Sequence, residues 1–414
     1  MLRDPALAPE GRAKVEFAAR RMPVLQAVAA ELGRTRPLRG LRIAACLHVT
    51  TETANLCRAL VAGGAELALC ASNPLSTKDD VAAAIHEDLG VRVYAVHGGD
   101  LDAFHAQIER ALAIGPQLVL DDGADLTTSL HTRHPELLAG VLGGTEVTSA
   151  GVARLRNMER EGALRWPVLA LNDALTKHLF DNRYGTGQNT VDGILRATNV
   201  LLAGAVLVVA GYGWCGRGVA MRARGMGARV VVTEVDPIRA LEAVMDGLQV
   251  LPMDEAALLG DVFVTVTGNR GVITLDHLRA MKPGAIVCNS GHFDVEIDVA
   301  GLTGAALAVT PLRPGAVEYV LDGGRVVLLG DGRLVGQSCA EASPAEVMDL
   351  TFATQALAVV HLAAGGRGLP PGVHRVPAAI EERVAAGKLA ALGVRCDQLR
   401  DDQLSYLRGW RAGT

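Results

Sequence analysis

Between residues 11 and 33, apolar side chains recur at helical spacing: Val15, Ala18, Met22, Leu25, Val28 and Leu32. This predicts one long amphipathic helix. From there the chain alternates. Short apolar runs predict strands at 41–45, 66–70, 91–96, 117–120, 146–148 and 167–171, with helical stretches such as 53–61 and 78–85 between them. Alternation of this kind makes a parallel sheet with helices on both faces. Ligands then gather at the C-terminal ends of the strands. The polar clusters fall there, at His48 to Glu52, Asn73 to Thr77, Asp121 to Gly123, and Asn172-Asp173. Residues 173–203 read as a helical connection into a second alternating half, with strands near 262–265, 285–288 and 326–329. A long helix over 345–364 would return to the first half, and the chain closes in a small helical appendix.

The second half opens on a more specific pattern. An apolar run, 205–210, breaks on Gly211-Tyr-Gly213-Trp214-Cys215-Gly216, continues as a helix-like stretch, and ends a second apolar run at Glu234. Strand, glycine turn, helix, strand and acid in this order form a dinucleotide site. Gly211 makes the tight turn, Gly213 lets backbone N–H groups approach a pyrophosphate, and Gly216 lets helix and strand pack closely. The helix N-terminus faces the phosphates. Glu234 would accept hydrogen bonds from a ribose diol and repel the extra phosphate of NADP, so the expected cofactor is NAD.

Composition narrows the picture. With 414 residues, 50% of them hydrophobic, 47 glycines and only 3% aromatic residues, the chain suits two small-residue α/β domains. The net charge of −5 and the lack of a basic stripe argue against nucleic acid as a partner. Seven scattered cysteines without a C-x-x-C read as reduced thiols with no structural metal. The charged first residues lack an apolar core of the signal-peptide kind, and the longest apolar stretch, near 200–210, is too short to span a bilayer. A soluble cytoplasmic protein is expected.

Taken singly, the polar residues have plain structural explanations. Thr50 and Glu52 could cap a helix, Asp121, Asp122 and Asp125 could do the same, Lys177 and Asp181 could be a surface i,i+4 pair, and His292-Phe293-Asp294 could be a turn. Together, opposite a dinucleotide lobe, they suggest hydride transfer with acid–base groups. The words LH-x-T-x-ET at 47–53, SNPLSTKDDVAAA at 72–84 and LDDGADLT at 120–127 carry a resemblance. So do ND-x-x-TK-x-x-FDNRYGTGQ at 172–188, VVAGYGWCGRG at 208–218, TEVDP at 233–237, GHFDVEID at 291–298 and GRLV at 332–335. Over nearly its whole length the chain resembles the S-adenosylhomocysteine hydrolase family. Its YGTGQ and GYGWCGRG forms and its C-terminus near Trp410 resemble the compact branch, which lacks a Lys/Tyr tail that reaches a neighbouring cofactor.

The resemblance implies a substrate-binding domain over 1–182, completed by about 346–375, an NAD-binding Rossmann domain over 183–345, and an appendix over 376–414 that serves as an oligomer contact. A tetramer is implied. In the family, the ribose 3′ carbon gives a hydride to bound NAD⁺, the 4′ proton becomes acidic, the 5′ group is eliminated, water adds and the ketone is reduced. Lys177 with Asp181 would handle the 3′ hydroxyl proton. His48 and Asp122 would act at the 4′ and 5′ positions. His292 and Phe293 would gate the substrate, and Thr50 and Glu52 would face the purine. Asn182, Thr148, Ser149, Glu234, Asn269 and Asn289 would join the glycine turn as NAD contacts.

Where the chain departs from the family, it does so around the substrate. Val147 replaces a carboxylate on a sugar hydroxyl, Gly336 an asparagine at the nicotinamide, Gln337 a leucine near the purine, and Ser343 a histidine at the substrate. Losing a sugar-binding carboxylate costs a few kcal/mol. The redox and elimination residues are retained, so a changed substrate is expected. The first reading is a 4′,5′-dehydratase of a nucleoside, of the angustmycin type, with Val147 making room for an extra 1′ hydroxymethyl group. The alternative is an ordinary adenosylhomocysteinase. A third reading, a non-catalytic regulator binding NAD or a nucleoside, fits poorly with retained Lys177 and His48.

Overall fold

The computed structural model describes residues 2–365 and 368–410, and the last four residues of the expected appendix lie outside them. Two sheets organise the chain. The first contains β1 (Arg42–Leu47), β2 (Glu66–Ala71), β3 (Arg92–Tyr94), β4 (Leu118–Asp121), β5 (Gly143–Glu146) and β6 (Pro167–Ala170). The second contains β7 (Val206–Ala210), β8 (Arg229–Thr233), β9 (Gln249–Val250), β10 (Val262–Thr265), β11 (Ala285–Asn289), β12 (Ala308–Arg313), β13 (Ala316–Leu321) and β14 (Gly324–Leu329). β15 (Gly372–His374) then returns to the first sheet, beside β6.

The strand orders are β15-β6-β5-β4-β1-β2-β3 and β12-β13-β14-β11-β10-β7-β8-β9. The first sheet is parallel throughout, and the second ends in an antiparallel β12–β13–β14 meander. Alternate residues of β1 show why both faces are covered: Ile43, Ala45 and Leu47 enter one core, Ala44 and Cys46 the other. β7 does the same with Leu207 and Val209 against Val206 and Val208. The fold is therefore α/β and doubly wound. The parallel strands of each sheet reverse their order once, between β1 and β4 and between β7 and β10, and that is where a crevice opens.

Several local expectations are corrected. The single helix over 11–33 is two, Ala8–Ala19 and Pro23–Thr35, because Pro23 lacks the N–H a continuing helix needs. The strand expected over 146–148 is β5, which ends at Glu146. Gly143 and Gly144 hide it from propensity, yet a Cβ at 143 would press on Leu362 and one at 144 on the Val119 carbonyl. Val147 and Thr148 therefore lie just past the strand. The longest apolar stretch is the helix Ala345–Gly365, with mean hydropathy 1.5 over its best window, not the run near 200–210. It is long and apolar enough to cross a membrane, but 67% of that window is buried against the first sheet.

Candidate functional site

The C-terminal ends of both sheets face one cleft, with about 1040 Å³ of space not filled by protein atoms, part of it open to solvent. The first sheet supplies His48 after β1, Asp122 after β4, and Val147, Thr148 and Ser149 after β5. The second supplies Val266 and Gly268 after β10 and Ser290 to His292 after β11, and Cys215 comes from the helix after β7.

His48, Asp122 and His292 meet in the cleft. His48 Nε2 lies 3.4 Å from Asp122 Oδ2, and His292 Nδ1 lies 3.5 Å from Asp122 Oδ1. Ser72, just past β2, fixes the other side of His48, its Oγ 3.0 Å from Nδ1. Burial pushes the His48 imidazole below its usual range against the pull of the Asp122 charge, which favours a neutral base. Gly123 makes this approach possible: its φ is +111°, and a Cβ there would overlap the His292 ring. The three ligand-type atoms lie within 4.8 Å of one another.

Lys177 and Asp181 form a second pair, Nζ to Oδ2 at 3.1 Å, with both side chains about a tenth exposed. The i,i+4 spacing is real, but the pair is buried rather than superficial. It sits where a short helix, Leu175–Lys177, runs into a π-helical segment, His178–Gly185. Such a bulge is common at functional sites because it re-aims side chains. Lys177 also donates to Asn182 Oδ1 at 2.6 Å, and Asn182 Nδ2 donates to Asn172 Oδ1 at 3.2 Å. The Asn182 amide, expected on the cofactor, is thus engaged in holding Lys177.

Thr50 both lines the cleft and caps the helix Thr51–Ala62. Glu52 is buried, its carboxyl raised by burial, and its Oε2 has no hydrogen-bond partner. Asp122 Oδ1 also has none. Buried orphan acceptors at a cleft are ready for a ligand's donors. Asp121, in contrast, is a structural acid: it accepts the N–H groups of Leu126 and Thr127 at 3.1 and 2.8 Å.

Behind the site, Glu146 is fully buried. Burial first, then the charges of Asp121 and Asp122, push its carboxyl up to about 8. Its Oε1 accepts the Thr148 hydroxyl and the N–H groups of Gly123 and Thr148.

The dinucleotide cradle has its expected shape. Gly211 adopts φ +104°, and a Cβ on Gly216 would overlap the Gly211 carbonyl, so helix and strand pack as only glycine allows. Glu234 lies half-buried beside the turn and accepts the Tyr212 N–H at 2.7 Å. The space in front of Gly213 is open apart from Arg239. Trp214 packs near His178 and under the Arg217 guanidinium.

Some expected positions fall outside the lining. Asn269 is exposed on the loop after β10. Asn289 is fully buried, and its amide is used within the loop, donating to the carbonyls of Gly291, Phe293 and Gly332 and accepting the Gly291 N–H. Phe293 packs edge-on to His292 and under Arg154 rather than facing the cleft. Glu341, on the same loop as Gln337 and Ser343, is exposed beside Lys78 and Arg196. Gln337 and Ser343 do line the cleft. The sequence reading missed Asn189, Thr186, Ser290 and Phe352, which also line it. Their helical and strand-end periodicity gave no sign of chemistry.

A glycine-cradled dinucleotide sheet facing a second sheet that carries two buried acid–base clusters defines an NAD-dependent enzyme of small molecules. Comparison with known proteins narrows this. A model of the NAD-binding domain of S-adenosyl-L-homocysteine hydrolase matches residues 182–342, and a model of S-adenosyl-L-homocysteine hydrolase matches residues 1–135. The chain belongs to the S-adenosyl-L-homocysteine hydrolase family, and its cofactor is NAD. It is 54% identical to an adenosylhomocysteinase of Gloeobacter violaceus, covering 100% of this chain and 97% of that one. The adenosylhomocysteinase of Aquifex aeolicus is 54% identical, with 100% and 99% covered. An S-inosyl-L-homocysteine hydrolase of Methanopyrus kandleri is 50% identical, with 100% and 98% covered.

Proposed function

We propose that the chain hydrolyses the thioether of an S-nucleosylhomocysteine of the adenosine type, by oxidation at the 3′ carbon, loss of the 4′ proton, elimination of homocysteine at the 5′ carbon, addition of water there and return of the hydride to the 3′ ketone. The names of its relatives support this better than they support a dehydratase. The observation that carries the redox-elimination part is the pair of buried proton-handling groups, Lys177–Asp181 and His48–Asp122, lining one cleft opposite the glycine cradle.

Bound NAD supplies reversible hydride acceptance. The chain's residues do the rest. Lys177, held by Asp181 and Asn182, takes and returns the 3′ hydroxyl proton. His48, neutral and backed by Asp122 and Ser72, removes the 4′ proton and later serves the 5′ position. His292 closes over Asp122 and shields the cleft from water, with Phe293 behind it. Thr50 and Glu52 receive the purine; a carboxylate with a free oxygen suits the exocyclic amine of adenine. Thr148 and Ser149 flank the nicotinamide side, and Glu234 takes the adenosine ribose of the cofactor. We assign residues 1–182 with 346–375 to substrate, 183–345 to cofactor, and the appendix from 376 to contact between copies.

A second reading is favoured by one observation. Val147 is 7% exposed and lines the cleft, so the sugar meets an apolar surface. A nucleoside whose 5′ leaving group is water, ending as a 4′,5′-alkene, would suit that surface. Incubation of the holoenzyme with S-adenosylhomocysteine and, separately, with psicofuranosyl-adenine distinguishes them by mass spectrometry. Adenosine plus homocysteine from the first supports the hydrolase. Loss of one water from the second, with the first intact, replaces it by the dehydratase. Neither product would overturn both.

A further inference from the structure

Two buried polar side chains at the edge of the cleft remain without a role in that reaction. Asn189 lies on the helix Thr186–Thr198, and Ser343 on the segment leading from the second sheet to the helix Ala345–Gly365. Both are less than a tenth exposed. Gly336 allows them to meet: a Cβ at that position would overlap the Asn189 carboxamide, so Asn189 lies against bare backbone. From there its Nδ2 donates to Ser343 Oγ at 3.1 Å. Ser343 Oγ donates to Asp181 Oδ1 at 3.0 Å, and the other oxygen of Asp181 meets Lys177.

We propose that Asn189 and Ser343, admitted by Gly336, form a relay that positions the Asp181 carboxylate against the Lys177 amine. The direction of every bond in it is forced. The Asn189 amide nitrogen only donates, so the Ser343 oxygen accepts there, and its one proton goes to Asp181. Thr190 Oγ1 lies 3.5 Å from Asn189 Oδ1 and makes its short contact, 2.6 Å, with Ser290 Oγ. Such a chain in a buried site strengthens each of its members and admits one arrangement. In the form that takes a proton, Lys177 Nζ has two N–H donors and a lone pair; Asp181 and Asn182 engage the donors, and the lone pair is left for the proton of a ligand hydroxyl. Asn189 and Ser343 touch neither substrate nor cofactor in this account. They act through Asp181 and are positioning residues.

The inference rests on the reading in which Lys177 handles a sugar hydroxyl proton. Its test uses the NAD-loaded protein mixed with adenosine or psicofuranosyl-adenine, following the near-ultraviolet absorbance of reduced cofactor. Ser343→Ala should slow cofactor reduction about 10-fold or more through misplacement of the acid–base pair, while half-saturating nucleoside stays within about twofold of wild type. Asn189→Ala should slow it in the same direction by less. Gly336→Ala should match Asn189→Ala, and combining the two should add nothing, since the collision partner is gone. Ser343→Ala reducing cofactor at the wild-type rate would overturn the relay. So would additive Gly336 and Asn189 effects. If Gly336→Ala does not fold, the other two variants, which only remove atoms, decide the matter. Wild type that reduces no cofactor with either nucleoside would instead overturn the proposed function, and the relay with it.

Discussion

Glu146→Gln should remove a pH dependence of stability that this one carboxyl imposes. The group is fully buried and raised from 4.5 to about 8, first by burial and then by the charges of Asp121 and Asp122. The folded protein therefore keeps this proton where the unfolded chain has lost it. For such a raised acid, stability is fully present below the unfolded value and is lost as pH rises through the folded one. With those two values, moving from pH 6 to pH 8 costs the folded state about 2 kcal/mol. Glutamine is close in shape to the protonated acid, and its carbonyl can accept the bonds that Gly123 and Thr148 now give to Oε1. Urea unfolding at pH 6 and pH 8, with both proteins NAD-loaded, gives the comparison. Wild type should lose about 2 kcal/mol more than the variant across that interval. The comparison also cancels Asp121, which is raised to about 6 and titrates in both proteins. Equal losses would show that Glu146 is already ionised in the folded state and that the burial argument is wrong.

Lys177→Met should cut the rate of cofactor reduction by about 10²-fold or more while NAD content per chain is unchanged, measured by absorbance and by release on denaturation. Glu234→Ala should weaken NAD binding by about 10- to 100-fold, the worth of hydrogen bonds to a charged group, as read by calorimetric titration of the cofactor-free protein. Lys388→Ala should cost about 3–5 kcal/mol in chemical unfolding, because it strands the fully buried Asp349 carboxylate that also receives the Val24 and Leu25 N–H groups.

The strands were legible because buried parallel strands are unbroken runs of Val, Ile, Leu and Ala, as in 206–210 and 230–232. The β12–β13–β14 meander was only partly legible: β12 is exposed along its whole length and carries Pro311, so it does not read as a buried strand. The acid–base residues were visible because each stands where a core would reject it. The relay was not, since asparagine and serine on helical or loop segments look like ordinary capping residues. What makes Asn189 significant is the missing side chain of Gly336, and that relation exists only in space.

The return of β15 to the first sheet carries a consequence for synthesis. β15 pairs with β6 across an intervening sheet, and the helix Ala345–Gly365 covers one face of the first sheet through Leu350, Phe352, Leu357 and Leu362. Until the ribosome has passed residue 374, that face has the cover of the N-terminal helices but lacks this one. The second sheet, continuous from 206 to 329, can fold as soon as it emerges. At ordinary rates of translation, the nascent first half waits about 10–40 s with the apolar patch under that helix open. The cofactor lobe thus completes first, and the half that carries Asp122 and Lys177 is the one exposed to chaperones and to aggregation.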